Sequence, residues 1–417
     1  MGYAAIVSRV EVRPHPNADR LAIGSVNGIQ VIVGVDTPDG TLGVYFMSDG
    51  QLSEQFSTTN NLVRVKNADG TTSGGMFEDN RRVRAMNIRG VKSDGFWCEF
   101  DYLRRAGVSE QTIATLVEGN TFTELDGISI CNKYVTPSTA QAILNREKNK
   151  PRESKVLSFP EHTDTQQYHY YKETIKPGSL IIITEKLHGT SMRFGNVPVR
   201  RNLSWLEKLA QRFGAKVQET EYQHVIGTRR VILGDNDKGG YYGNEEFRRN
   251  VVHGLVLKPN EILYGEIVGY TTDGRQIMPD HDATKVSKEF TKRYGSTMRY
   301  NYGARHGECR MYIYRITRDG VDLSHFQVIA RCKELGVAYV PVLSVDMFIT
   351  TDILDTMVAE RIEGSSTLDT SHIREGVCIR VEDESGMRVF KAKSYEFKLM
   401  EGIIKSDENY TDMEETA

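Results

Sequence analysis

The feature that most narrows the fold is the run of apolar segments between residues 166 and 403. Ser179–Thr184, Ser191–Val197, Val225–Leu233, Glu261–Val268, Met311–Ile316, Val337–Val342, Gly376–Val381 and Met387–Ala392 read as strands. Two segments carry a helical period. Leu203–Phe213 spaces Leu206, Leu209 and Phe213 for one helix face, and Leu323–Leu335 spaces Phe326, Ile329, Ala330 and Leu335 ahead of a C-cap candidate, Gly336. A doubly wound parallel sheet needs a helix at each strand-to-strand crossover. Strands and helices mix here without that alternation, so the expected class is α+β with largely antiparallel sheets.

Residues 1–135 show a different texture. Ala4–Val12, Gly28–Val35, Leu42–Met47, Arg82–Ile88 and Gly95–Phe100 are short β-patterned runs, many of them separated by Asp-Gly breakers. They predict a small all-β barrel. Residues 136–165, with Pro137, Pro151, Pro160 and the polar stretch Asn145–Ser154, read as a linker to the domain at 166–403. Residues 404–417 form an acidic tail with little to bury.

Charge and cysteine content exclude several classes. Lys and Arg number 53 against 56 Asp and Glu, a net charge of −3, so nucleic-acid binding must rest on local basic patches. No apolar run approaches the roughly 18 residues of a membrane helix, and the first residues carry no basic leader with an apolar core. The five cysteines (98, 131, 309, 332 and 378) form no CxxC pair. They fit a reducing compartment rather than a disulfide framework or a zinc site. The expectation is a cytoplasmic, intracellular protein with no membrane partner; the oligomeric state stays open.

One string concentrates the chemistry. Ile181-Ile-Ile-Thr-Glu-Lys-Leu-His-Gly-Thr-Ser191 sets Lys186 directly after an apolar strand and before a glycine turn. A lysine leaving a buried strand toward a cleft is a candidate nucleophile; read alone, the same string also fits a solvated lysine in a β-turn. In the amino-terminal region, Arg81, Arg82, Arg84, Arg89 and Lys92 with Phe96 and Trp97 offer cations and rings of the kind backbone binding uses. The aromatics fit core positions equally well.

Two resemblances join these strings. His15-Pro-Asn-Ala-Asp-Arg-Leu21 and Ile88-Arg-Gly-Val-Lys-Ser-Asp-Gly-Phe-Trp-Cys98 together resemble the OB-fold tRNA-binding domain, which implies an oligonucleotide-binding barrel at 1–135. The Lys186 string resembles motif I, K-x-(D/H/N)-G, of the covalent lysine nucleotidyltransferases, in its RNA ligase form. Gly227-Thr-Arg-Arg230, Leu263-Tyr-Gly-Glu-Ile-Val-Gly269, Met311-Tyr-Ile-Tyr-Arg-Ile316, Arg374-Glu-Gly-Val-Cys-Ile-Arg380 and Val389-Phe-Lys-Ala-Lys393 follow in the order of motifs Ia, III, IIIa, IV and V.

The resemblance implies an ATP-dependent RNA ligase that joins 3′-OH and 5′-phosphate RNA ends, in a nicked duplex, through lysyl-AMP and RNA-adenylate intermediates, as in RNA repair. It implies Lys186 as nucleophile, with Lys391 and Lys393 catalytic on the α-phosphate. Glu185, His188, Gly189, Arg229, Glu266 and Tyr314 would bind the nucleotide, with Tyr312 an alternative stacking ring. Glu266 and Glu375 would hold Mg²⁺ or Mn²⁺. His188 stands where many members have Asp, which withdraws one carboxylate from the metal. A GTP-dependent capping guanylyltransferase and a non-catalytic RNA-binding protein with a degenerate transferase domain are the rivals. DNA ligases and capping enzymes carry a further carboxy-terminal OB domain, whereas 24 residues follow Lys393 here (417 − 393), so neither is expected.

Overall fold

A computed structural model describes residues 3–67, 69–148, 155–162, 165–234, 241–407 and 409–410. Its contacts divide the chain into two compact units. The first runs to Thr136 and adds His169–Glu173 and Tyr395–Asp407; the second takes Pro137–Tyr168 and Thr174–Ser394. Sequence order alone would not have assigned the two added segments to the first unit. No helix among the described residues is long and apolar enough to cross a membrane.

In the first unit, β1 (Ala5–Pro14) pairs at Ala5–Ile6 with Thr121–Phe122 and along its length with two further partners in succession. Ile6–Val10 pairs antiparallel with β4 (Thr41–Phe46), and Glu11–Pro14 with β2 (Leu21–Val26). Sharing one strand between two ladders curls the sheet, whose order is β5 (Phe96–Glu99), β4, β1, β2, β3 (Ile29–Gly34). The β2–β3 turn is Asn27-Gly28 with φ of 51° and 80°, the left-handed pair that a two-residue hairpin requires. Both faces of β4 are buried: Val44 and Phe46 join one cluster, and Tyr45 joins another with Trp97, Val10 and Val31. Gly43 makes room for that packing, since a Cβ there would lie 2.3 Å from the Trp97 ring.

The aromatics singled out in this unit are therefore core. Phe96 is 8% and Trp97 4% exposed, and the Trp97 indole donates to Ser8 O at 3.2 Å. Several basic residues are also engaged internally. Arg82 donates to Gly402 O, Arg84 pairs with Glu78, and Lys92 pairs with Glu396 above the Tyr395 ring. The two strings that suggested the barrel do meet, because Asn17 Nδ2 donates to Arg89 O at 3.0 Å.

The second unit holds two antiparallel sheets. One runs Gln166–Gln167, β13 (Gly386–Lys393), β12 (Gly376–Asp383), β6 (Leu180–Lys186), β11 (Val342–Met347). The other runs β8 (Thr220–Gly227), β7 (Thr190–Arg200), β9 (Glu261–Gly269), β10 (Cys309–Arg318), Val321–Asp322. Strand β6 is interior to its sheet and buried on both faces, which is why its sequence is a continuous apolar run rather than an alternation. Mixed strands and helices in antiparallel sheets are the class that the spacing predicted.

Four expectations differ. The strand expected at Val225–Leu233 stops at Gly227, because the Thr228 hydroxyl accepts from the backbone N–H of Arg230 and Val231 and turns the chain. The strand expected at Val337–Val342 breaks at Pro341: Ala338–Tyr339 pairs with β10, and β11 begins in the other sheet. Helix α1 (Trp205–Arg212) forms behind a Ser204–Glu207 capping box, but its apolar stripe buries nothing, with Trp205 72% and Phe213 82% exposed. Part of the segment read as a linker is packed structure. Val156 pairs with Val199, Leu157 N–H donates to Pro198 O at 3.0 Å, and Arg193 donates to Phe159 O.

Helices α2 (His325–Leu335), capped by Gly336 at φ 68°, and α3 (Thr351–Ile362) belong to the second unit, and α4 (Tyr395–Ile404) to the first. Most of the expected tail at 404–417 lies outside the described residues. Lys398 on α4 reaches the Asp94 carboxylate at 2.6 Å, both side chains about nine-tenths buried, and Asp94 also accepts from Ser48. Removing one partner strands the other charge. Lys398→Ala is expected to destabilise the first unit by roughly 3–5 kcal/mol, read as a lowered urea midpoint; a shift worth under about 1 kcal/mol would be the surface-pair result and would contradict this packing.

Candidate active site

The site is built where β6 ends. Lys186 lies opposite Gly376 in the β6–β12 ladder, and Gly376 lies opposite Lys393 in β12–β13; two residues back along β6, Thr184, Cys378 and Lys391 line up in the same way. Gly376 leaves a gap between the two lysines, and a Cβ there would lie 2.1 Å from Ala392 O. Glu375, fully buried just before β12, fills the gap with its carboxylate. Its Oε2 is 2.7 Å from Lys186 Nζ and 3.6 Å from His188 Nδ1, and its Oε1 is 3.4 Å from Lys393 Nζ. A buried carboxylate is tolerable only when cations meet it so closely.

Lys186 opens onto a cavity of about 130 Å³ in the second unit, whose lining includes Thr184, Glu185, Arg229, Glu266, Tyr314 and Lys391. The structure thus brings Lys186, Arg229, Glu266, Tyr314 and Lys391 together at one cavity, while Glu375 and Lys393 meet Lys186 from beneath. Arg229 stands in the turn after β8 rather than on a strand as expected. Glu266, half-buried on β9, accepts from Ser191 Oγ at 3.3 Å. Tyr314 packs with Tyr264 and Phe159 beside the β9–β10 register shift, and burial pushes its hydroxyl well above the usual range. Tyr312 does not line the cavity.

Glu185, His188 and Gly189 face other tasks. The Glu185 side chain leaves Lys186's face of the strand, and its Oε2 accepts from Thr367 N–H at 2.9 Å and Thr367 Oγ1 at 2.6 Å. His188 is 4% exposed, behind Lys186 and against Glu375. Gly189 lies so close to β9 that a Cβ would meet Ile267 O at 2.3 Å and Glu266 Cγ at 3.0 Å.

Sequence reasoning missed three contributors. His162, inside the presumed linker, lines the cavity with its ring 5.0 Å from Tyr314. Cys378 lines it too, its thiol pushed up to about 11 by burial against the opposing pull of Lys186. Arg248, 1% exposed, pairs with Glu245 at 2.6 Å and donates to Ser191 O and Thr190 Oγ1, bracing the start of β7. His162 and Arg248 act through contacts with chain far away in sequence, and Cys378 lies in the quoted string 374–380 without having been singled out.

Residues 179–393 match the model of the RNA ligase family. The chain belongs to that family. It is an RNA ligase, an enzyme that joins RNA. Solved structures of a Naegleria gruberi RNA ligase resemble it along nearly its whole length. An apo variant of that ligase has 18% identity and a TM-score of 0.57, covering 96% of this chain and 98% of its own. A variant with ATP and Mn has 18% identity and a TM-score of 0.56, covering 94% and 96%, and the form with PPi has 17% and 0.56, covering 97% and 99%. At such identity the likeness shows a shared fold. No curated protein matches the sequence.

The Gly189 contact yields a test. Gly189→Ala must push the loop after Lys186 off β9, an overpacking expected to cost about 1–3 kcal/mol and to disturb Glu266 at the same time. Thermal melts with activity assays on the variant check this; wild-type stability and activity would mean the loop has slack that the contact distances deny.

Proposed function

We propose that this RNA ligase is ATP-dependent and seals 3′-OH/5′-phosphate ends in nicked RNA duplex by way of an AMP carried on Lys186. The observation that carries the reading is the placement of Lys186 at the mouth of a cavity where cations outnumber carboxylates. Lys186, Lys391, Arg229, Arg315 and Arg380 line it against Glu185 and Glu266, five against two. Such a field suits a triphosphate and the charge that grows on it during in-line displacement. The Naegleria ligase structures with ATP, AMP and Mn support the choice of nucleotide and of a divalent metal.

In the first step the Lys186 Nζ, its proton passed to water, forms a bond to the α-phosphorus as the bond to the pyrophosphate oxygen breaks and pyrophosphate leaves. Lys391 meets the phosphate from the cavity wall. Lys393 lies deeper and shares Glu375 with Lys186, so its role is to compete for that carboxylate and leave the nucleophile less tightly held. Tyr314 offers its ring to the base, and Arg229 its guanidinium to the ribose or an incoming 5′-phosphate. The 5′-phosphate of RNA then takes AMP from Lys186, and the 3′-OH displaces AMP to form the phosphodiester.

Glu266, on the cavity wall, supplies hard oxygen donors of the kind Mg²⁺ or Mn²⁺ takes, whereas both Glu375 oxygens face lysines beneath the cavity. Among the described residues no group of three or more His, Cys, Asp or Glu is arranged to hold a metal, so the fit is to an ion that keeps most of its water and leans on phosphate oxygens. When bound, it would neutralise charge on those oxygens. The curled sheet of the first unit, with β1 shared between two ladders, supports reading residues 1–135 as an OB-type RNA-binding module.

The test uses nicked RNA with a plain or a pre-adenylated 5′ end. Lys186→Ala is expected to abolish sealing of the plain nick and to retain sealing of the pre-adenylated one, which needs no lysyl-AMP. Lys391→Ala is expected to slow adenylation by on the order of 10²–10³. Sealing of the plain nick by Lys186→Ala would refute the assignment.

A further inference from the structure

Residues 270–308 connect β9 to β10, neighbours in the sheet that a two-residue turn could join. The connection is not spent on the surface. It buries His281 (1% exposed), Tyr300 (3%) and Tyr302 (1%), and it does so against the loop that follows Lys186. The His188 ring lies 4.9 Å from Tyr300 and 5.1 Å from His281, edge to face in both cases. The His372 ring, from the segment leading to Glu375, closes the group at 4.5 Å from Tyr302 and 5.0 Å from Tyr300.

The group also reaches the backbone of the loop after Lys186. Tyr302 Oη accepts the His188 N–H at 2.6 Å, two residues beyond the nucleophile. Burial pushes the Tyr302 hydroxyl far above its ordinary range, so it stays neutral and available as an acceptor. Tyr302 itself sits at φ 53°, a left-handed conformation that a bulky residue adopts only where its surroundings impose it. Those surroundings are visible: the next residue, Gly303, donates its N–H to Asp369 Oδ2 at 3.0 Å and to Asn301 Oδ1 at 3.3 Å. The neighbouring segment 364–373 also holds Thr367, which fixes Glu185. Residues on both sides of Lys186 are thus tied down by chain from outside the strand that carries it.

We propose that Tyr302 is a positioning residue for lysine adenylation, its hydroxyl holding the His188 peptide so that Lys186 meets the α-phosphorus in line. The inference rests on Lys186 being the adenylated residue. Tyr302→Phe keeps the ring in its cluster and removes only the acceptor. A displacement of the reacting amine by about 1 Å can cost on the order of 10²-fold in rate. Ground-state affinity for ATP is spared, because no Tyr302 atom lines the cavity.

The experiment is single-turnover labelling of the full-length protein with α-labelled ATP over a range of concentrations, with the wild-type label first located on Lys186. Absence of that label would count against the lysine assignment, whereas a loss confined to the variant bears on Tyr302. Tyr302→Phe is expected to lower the saturating rate by on the order of 10²-fold at nearly unchanged half-saturating ATP, and to speed hydrogen exchange of the peptide containing the His188 amide. Tyr45→Phe, which removes a comparably buried hydroxyl from Asp94 O in the first unit, is expected to leave the rate unchanged. An unchanged rate in folded Tyr302→Phe overturns the proposal, as does a rise in half-saturating ATP at an unchanged maximal rate. If Tyr302→Phe does not fold, Asp369→Asn, which weakens the anchor at Gly303, must lower the same saturating rate; a wild-type rate there overturns the proposal.

Discussion

The Glu375 carboxylate, fully buried, is the contact on which the rest of the site depends. Unpaired, it would carry a desolvation penalty of several kcal/mol, so the chain must bring cations to it, and it does so from two strands, with Lys186 from β6 and Lys393 from β13. Gly376 is what lets both arrive, since any side chain there would collide with Ala392 O. The ladder register, the glycine and the lysine pair are one requirement expressed in three places. On the proposed reading Lys186, held in this way, is placed before substrate arrives, which is how preorganisation lowers a barrier.

Around that charge centre the protein invests most heavily in the loop after Lys186. Gly189 permits its approach to β9, Arg248 braces the start of β7, and the 270–308 connection wraps the His188 ring. Exposed loops fluctuate, and this one is held by buried rings and a backbone hydrogen bond rather than left to solvent. Two of the cavity's cations pair with carboxylates outside its lining, Arg315 with Asp322 and Arg380 with Glu382.

Much of the second unit was legible because its strands declare themselves. β6 and β9 are buried on both faces and rich in apolar residues, and the strings that carry Lys186 and Glu266 along them line one cavity. What was hidden depends on contacts between distant parts of the chain. His162 looked like linker because the signal for a packed strap lies in Val199, Pro198 and Arg193, which hold it. Tyr302 and His372 look like ordinary polar and aromatic residues until the fold sets them together. In the first unit Phe96 and Trp97 fitted surface and core alike from sequence, and Gly43, which accommodates the indole, decides for core. Helix α1 shows the reverse case, where a correct helical period gave no information about whether anything packs on it.

The central claim is that the lysine held by Glu375 carries the nucleotide, and it is tested most directly by locating the adduct. The protein incubated with α-labelled ATP and Mg²⁺ or Mn²⁺, then digested and sequenced by mass spectrometry, is expected to carry AMP on the peptide containing Lys186 and on no other lysine, Lys391 and Lys393 included. AMP on another residue, or a labelled guanylate in place of AMP when GTP is offered alongside ATP, would contradict the account.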